Sequence, residues 1–106
     1  MELRQAARLK GAFLVQIRGL DPLGQPFNLT SLADNIGAGG LYMQLPLPLA
    51  VGAYALVAVQ LDRRLMMVAR SQVLRSEPRA HGLHGLGMGF VKTRLLASRH
   101  GRSRKK

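Results

Sequence analysis

The chain has 106 residues, enough for one domain with a single modest core, and its net charge of +11 indicates attraction to anionic partners. It contains no cysteine, which excludes disulfide bonds and thiolate metal sites. No charged segment followed by a short apolar segment opens the chain, so we expect a cytoplasmic protein.

Apolar and polar residues alternate along most of the chain, which is typical of β-strands that cover one core. Phe13, Val15 and Ile17, for example, fall on one face of the first predicted strand. Pro46 and Pro48 cannot donate to a ladder and therefore end the third strand. The predicted strands cover residues 11–18, 27–34, 41–45, 53–61, 65–75 and 86–90.

Six short strands without a convincing helix between them predict an all-β domain over residues 11–91. A closed antiparallel barrel is the economical way for six strands to hide their edges. A β-sandwich is the structural alternative, because spacing alone does not distinguish the two.

Residues 35–61 carry no charge and have to be tested as a membrane span. Prolines and glycines interrupt the segment, and Gln44 and Gln60 are polar. We therefore expect no stable membrane insertion, because a spanning helix needs an unbroken apolar run.

Catalytic and metal-binding residue patterns are not found. His81 and His84 are three residues apart, but no acidic residue or cysteine stands close by to complete a ligand set. The five acidic residues are scattered and form no triad or carboxylate pair. We therefore expect no catalytic residue, no metal ligand and no enzymatic activity.

The first ten residues contain two arginines, Arg4 and Arg8, with a spacing that places both guanidinium groups on the same side of the segment. A guanidinium is a planar donor fork that fits phosphate oxygens and the edge of guanine. Little besides Leu3 and Leu9 can anchor this segment, so it is predicted to be mobile until a ligand orders it. The alternative is that both arginines are ordinary surface residues.

A second feature is the turn Asn-Ile-Gly-Ala-Gly-Gly over residues 35–40. Asparagine and glycine tolerate left-handed backbone, and successive N–H groups in such a turn can bind an anion. An ordinary hairpin turn is the alternative reading.

Together, the two features resemble the PilZ family, whose members carry an RxxxR motif before the first strand and a [D/N]xSxxG motif on a later turn. Arg4 and Arg8 match the first motif, and Asn35 and Gly40 match the second; the resemblance covers residues 4–91. It implies a six-stranded antiparallel barrel that binds cyclic di-GMP on its outer surface, under an N-terminal arm. The resemblance divides the chain into a PilZ-like domain over residues 1–93, which includes the arm at 1–10, and a basic tail over residues 94–106.

The resemblance also implies roles for individual residues. Arg4 and Arg8 would hold guanine and phosphate, Asn35 would contact a guanine edge, and Gly40 would allow close approach of the backbone. Gly37 stands where the family has serine, so a hydroxyl is lost and only the backbone N–H is expected to meet the ligand.

The function predicted from the resemblance is a cyclic di-GMP receptor that relays the signal to a protein partner in motility, biofilm or exopolysaccharide control. One alternative is an adaptor that no longer binds nucleotide, which Gly37 favours. Another is a small barrel that binds nucleic acid through its basic tail, since seven Lys or Arg and no acid follow residue 91. The scarcity of aromatic residues disfavours this last alternative.

Overall fold

The computed structural model describes residues 9–97. Within this range the strands are antiparallel and close into a barrel in the order β1-β2-β3-β6-β5-β4, which confirms the predicted fold class. The elements are β1 Leu9–Leu20, β2 Pro26–Ile36, β3 Gly40–Leu45, β4 Tyr54–Gln60, β5 Leu65–Pro78, a short 3-10 helix Ala80–Gly82 and β6 His84–Ala97. The residues that the structure describes include no candidate membrane-spanning helix.

The last two strands are longer than the sequence pattern predicts. β5 and β6 pair with each other along their whole length, from Leu65 opposite Ala97 to Pro78 opposite His84. Cross-strand hydrogen bonds satisfy the backbone even where the apolar alternation has ended. β6 therefore continues past the predicted end at Phe90 and includes the first residues of the segment that was predicted as a tail.

The core lies inside the barrel and is built by the apolar residues of each alternating strand. Val15 and Ile17 of β1 have no exposed surface, as predicted for the inner face of that strand. Full burial of one such side chain stabilises the fold by roughly 1.5–3 kcal/mol. The largest of the other fully buried apolar side chains belong to Met43, Leu45 and Leu86.

A β-bulge in β5 changes which side chains face outward. Val73 pairs with Met88, and the next paired residue of β5 is Arg75, opposite Gly87. Leu74 is therefore an additional residue on its strand, and its side chain is 61% exposed. Bulges of this kind redirect side chains at the ends of barrels, and this one directs two toward the site described next.

Candidate functional site

Three of the residues predicted to bind a ligand come together at one end of the barrel. Asn35 is near the end of β2, Gly37 is in the following turn, and Gly40 begins β3. All three line a surface depression of about 590 Å³, a volume within the usual range for small-molecule sites. We call it the glycine groove; its lining residues are Asn35, 37–42, Leu74, Arg75, Gly87 and Met88. Arg4 and Arg8 lie outside the described residues.

The floor of the glycine groove is the outer face of β6. Leu86 and Met88 of this strand are buried in the core, so Gly87 between them faces outward, because successive residues of a strand point to opposite faces. At Gly87 the floor has no side chain, and a Cβ added there would lie 3.5 Å from the Cβ of Arg75. Nε and Nη2 of Arg75 would lie 3.7 and 3.9 Å from the same Cβ, so the Arg75 side chain lies over Gly87.

The turn at the end of the groove is fixed by backbone hydrogen bonds. Gly37 N–H donates to the carbonyl oxygen of Gly40 at 2.9 Å, and Phe90 N–H donates to that of Gly39 at 2.8 Å. The expectation that the N–H of Gly37 is left for a ligand is therefore wrong, because the turn itself uses that donor.

Gly40 has a structural reason to be glycine. It pairs with Gly89 of β6, and a Cβ added to Gly40 would overlap the carbonyl oxygen of Met88. The close approach that glycine permits here is thus between two strands of the barrel.

Sequence reasoning missed two residues of the groove, Arg75 and Tyr42. They pair with Gly87 from its two sides, Arg75 on β5 and Tyr42 on β3. The hydroxyl of Tyr42 donates to Oε2 of Glu77 at 3.2 Å, which holds the ring beside the groove. The glycines at 85, 87 and 89 could have indicated that neighbouring side chains lie over β6. Those side chains belong to Tyr42, Arg75 and Leu74, and the position of Arg75 depends on the β5 bulge.

The charge of the groove favours an anionic ligand. Arg75 is exposed and contributes a guanidinium, Asn35 contributes an amide, and none of the lining residues is acidic. An arginine fork and an amide can together recognise a phosphate or the edge of a purine.

The first strand enters the sheet directly beside these residues. Leu9 pairs with Ile36, and Lys10 pairs with Asn35. The N-terminal end of β1 therefore lies next to the end of β2 from which Asn35 is presented.

No protein-family model matches the chain, and no curated protein matches it significantly. Among solved structures, it resembles that of the Bacillus subtilis inhibitor of motility (MotI/DgrA), with a TM-score of 0.64 and 17% sequence identity. The match covers 81% of this chain and 41% of that one, so the chain spans about two fifths of the length of that protein. This likeness, with the closed six-stranded sheet, confirms the PilZ-like barrel that the sequence predicts.

Proposed function

We propose that this chain binds cyclic di-GMP in the glycine groove, with Arg4 and Arg8 closing over the ligand, and that it relays this signal to a protein partner in the cytoplasm. The observation that supports the proposal best is the pairing of Leu9 with Ile36 and of Lys10 with Asn35. It brings the start of β1, and with it the attachment point of the two arginines, to the groove.

Covalent geometry limits how far the arginines can be from the groove. Arg8 immediately precedes Leu9, and consecutive Cα atoms are about 3.8 Å apart. Arg4 is five residues before Leu9, so its Cα lies within about 18 Å of the Cα of Leu9 even in a fully extended chain. Both guanidinium groups are thus within reach of a ligand beside Asn35.

The groove offers complementary contacts to a cyclic dinucleotide. Arg75, whose side chain lies over Gly87, supplies a further guanidinium for phosphate or for the guanine edge. Asn35 lines the same groove, and its amide would contact the other polar groups of the base. We propose Arg4, Arg8, Asn35, Gly37 and Gly40 as ligand-binding residues, and add Arg75. Gly37 would contribute backbone surface, because its N–H donates to Gly40.

The similarity in fold to a protein described as an inhibitor of motility supports a role in signalling, and makes a motility component a reasonable partner class. We retain the proposed division into a PilZ-like domain over 1–93 and a basic tail over 94–106, with the tail's first residues serving as the end of β6.

Calorimetric titration with cyclic di-GMP, beside GTP and a short single-stranded RNA, tests the proposal. Arg8→Ala should weaken cyclic di-GMP binding about tenfold or more, because a charge-assisted hydrogen bond contributes roughly 1.5–3 kcal/mol. Arg63→Ala is the matched control, because Arg63 is exposed in the β4–β5 turn and does not line the groove. The affinity of this variant for cyclic di-GMP should equal that of the wild type.

Three outcomes would contradict the proposal or a part of it. A folded wild-type protein that binds none of the three ligands would favour the adaptor that has lost nucleotide binding. Binding of RNA in preference to cyclic di-GMP would favour the basic nucleic-acid-binding barrel. An unchanged affinity in Arg8→Ala, with cyclic di-GMP still bound, would remove the arm from the mechanism but leave the groove in it.

A further inference from the structure

A row of cations crosses the outer face of the barrel away from the glycine groove. The strand register places Arg18 of β1 opposite Leu56 of β4, Leu56 opposite Arg70 of β5, and Arg70 opposite Lys92 of β6. The three cationic residues are exposed. Since neighbouring strands are about 4.8 Å apart, the row extends about 14 Å along the sheet. We call Arg18, Leu56, Arg70 and Lys92 the basic row.

An apolar groove of about 860 Å³ adjoins the basic row at Arg18, Leu56 and Arg70. Leu20, Tyr54 and Leu56 contribute large side chains to it that are 59%, 49% and 48% exposed. This groove shares no lining residue with the glycine groove. Exposed apolar side chains gathered in a concave, charged surface are typical of a site where a protein segment binds.

The polar groups around the apolar groove are arranged to receive negative charge. The guanidinium of Arg70 lies over the Tyr54 ring, 4.6 Å from its centroid, which holds it at the surface. Asp21 is the one acidic residue that lines this groove, and its Oδ1 already accepts N–H groups of Leu23 and Gln25 at 2.9 and 2.8 Å. The carboxylate of Asp21 is thus used to shape its own turn.

We propose that this surface binds an acidic, amphipathic segment of a partner protein, with the apolar side chains of that segment in the groove and its carboxylates on the basic row. The inference is independent of nucleotide binding. Two features favour a protein segment over the other polyanions. A concave apolar surface accepts inserted side chains, whereas a membrane surface requires protruding ones. Arg70 covers one face of the exposed Tyr54 ring, so that face is not free to stack on nucleic-acid bases.

The test uses a synthetic peptide of about 18 residues, or roughly five helical turns, with Glu on one face and Leu and Phe on the other. It is titrated into the isotopically labelled full chain, and amide shifts are followed by NMR. The proposal predicts saturable shifts centred on Arg18, Leu56 and Arg70. The affinity should fall as salt is raised, because salt screens exposed charge pairs. A peptide with Lys in place of every Glu should produce no such shifts.

Two charge-reversal variants identify the surface. Arg18→Glu/Arg70→Glu should weaken peptide binding at least about tenfold, since each reversal removes an attraction and adds a repulsion. Arg63→Glu/Arg64→Glu makes the same change in net charge at the exposed β4–β5 turn and should leave the affinity within about twofold. An absence of shifts, equal weakening in both variants, or shifts centred elsewhere would overturn the proposal. So would preferential binding of phosphatidylglycerol vesicles or single-stranded DNA over the acidic peptide.

Discussion

Gly39 and Gly40 are adjacent glycines for which the structure predicts opposite effects of substitution by alanine. A Cβ on Gly40 would overlap the Met88 carbonyl oxygen and lie 3.2 Å from its carbon, whereas a Cβ on Gly39 would have nothing within 4 Å. The atoms that oppose the new methyl group of Gly40→Ala belong to the backbone of β6. They can move only if the pairing of β3 with β6 is disturbed.

The magnitude follows from the cost of overpacking, typically about 1–3 kcal/mol, and the upper end applies because no flexible side chain can yield. Gly40→Ala should therefore lower the free energy of unfolding by about 3 kcal/mol and the melting temperature by about 10 °C or more. Gly39→Ala should be neutral or stabilising by up to about 1 kcal/mol, because alanine restricts the unfolded chain more than glycine does.

Urea unfolding of both variants and the wild type, followed by far-ultraviolet circular dichroism without ligand, measures the difference. The dependence of unfolding free energy on urea should be the same in all three proteins, so that midpoints compare stability alone. If Gly40→Ala is as stable as the wild type, the close contact with β6 is refuted, and the glycine would then be needed only where a ligand approaches.

Two further predictions concern single hydroxyl groups. Gly37→Ser should tighten cyclic di-GMP binding roughly two- to twelve-fold in calorimetry, because a neutral hydrogen bond contributes about 0.5–1.5 kcal/mol. Weaker binding would show that position 37 requires glycine for its backbone conformation. Ser71 is fully buried, and its Oγ has no hydrogen-bond partner among the described residues. Ser71→Ala should therefore raise the free energy of unfolding by up to about 1–3 kcal/mol. Ser31→Ala is the matched control, because Ser31 Oγ donates to the Gln44 carbonyl oxygen at 2.8 Å. This substitution should lower the free energy of unfolding by about 0.5–1.5 kcal/mol. A loss of stability in Ser71→Ala would mean that the Ser71 hydroxyl has a hydrogen-bond partner.

The number and approximate position of the strands, and the residues of the core, could be predicted from the sequence, although the ends of β5 and β6 could not. Period-two alternation identifies the inner face of a strand from local order alone, and Val15 and Ile17 are buried as that pattern predicts. The turn that carries Asn35, Gly37 and Gly40 was also predictable, because turn chemistry depends on consecutive residues.

Pairing between strands that are distant in the sequence sets how the two surfaces are assembled. Arg75 reaches the glycine groove because a bulge in β5 shifts its pairing, and Gly40 is constrained by the carbonyl of Met88, which is distant in the sequence. The basic row exists only because the register aligns Arg18, Arg70 and Lys92 across strands. Register and bulges are set by long-range pairing and by the packing of one closed core. Local alternation predicts each strand but not the partner against which it is aligned.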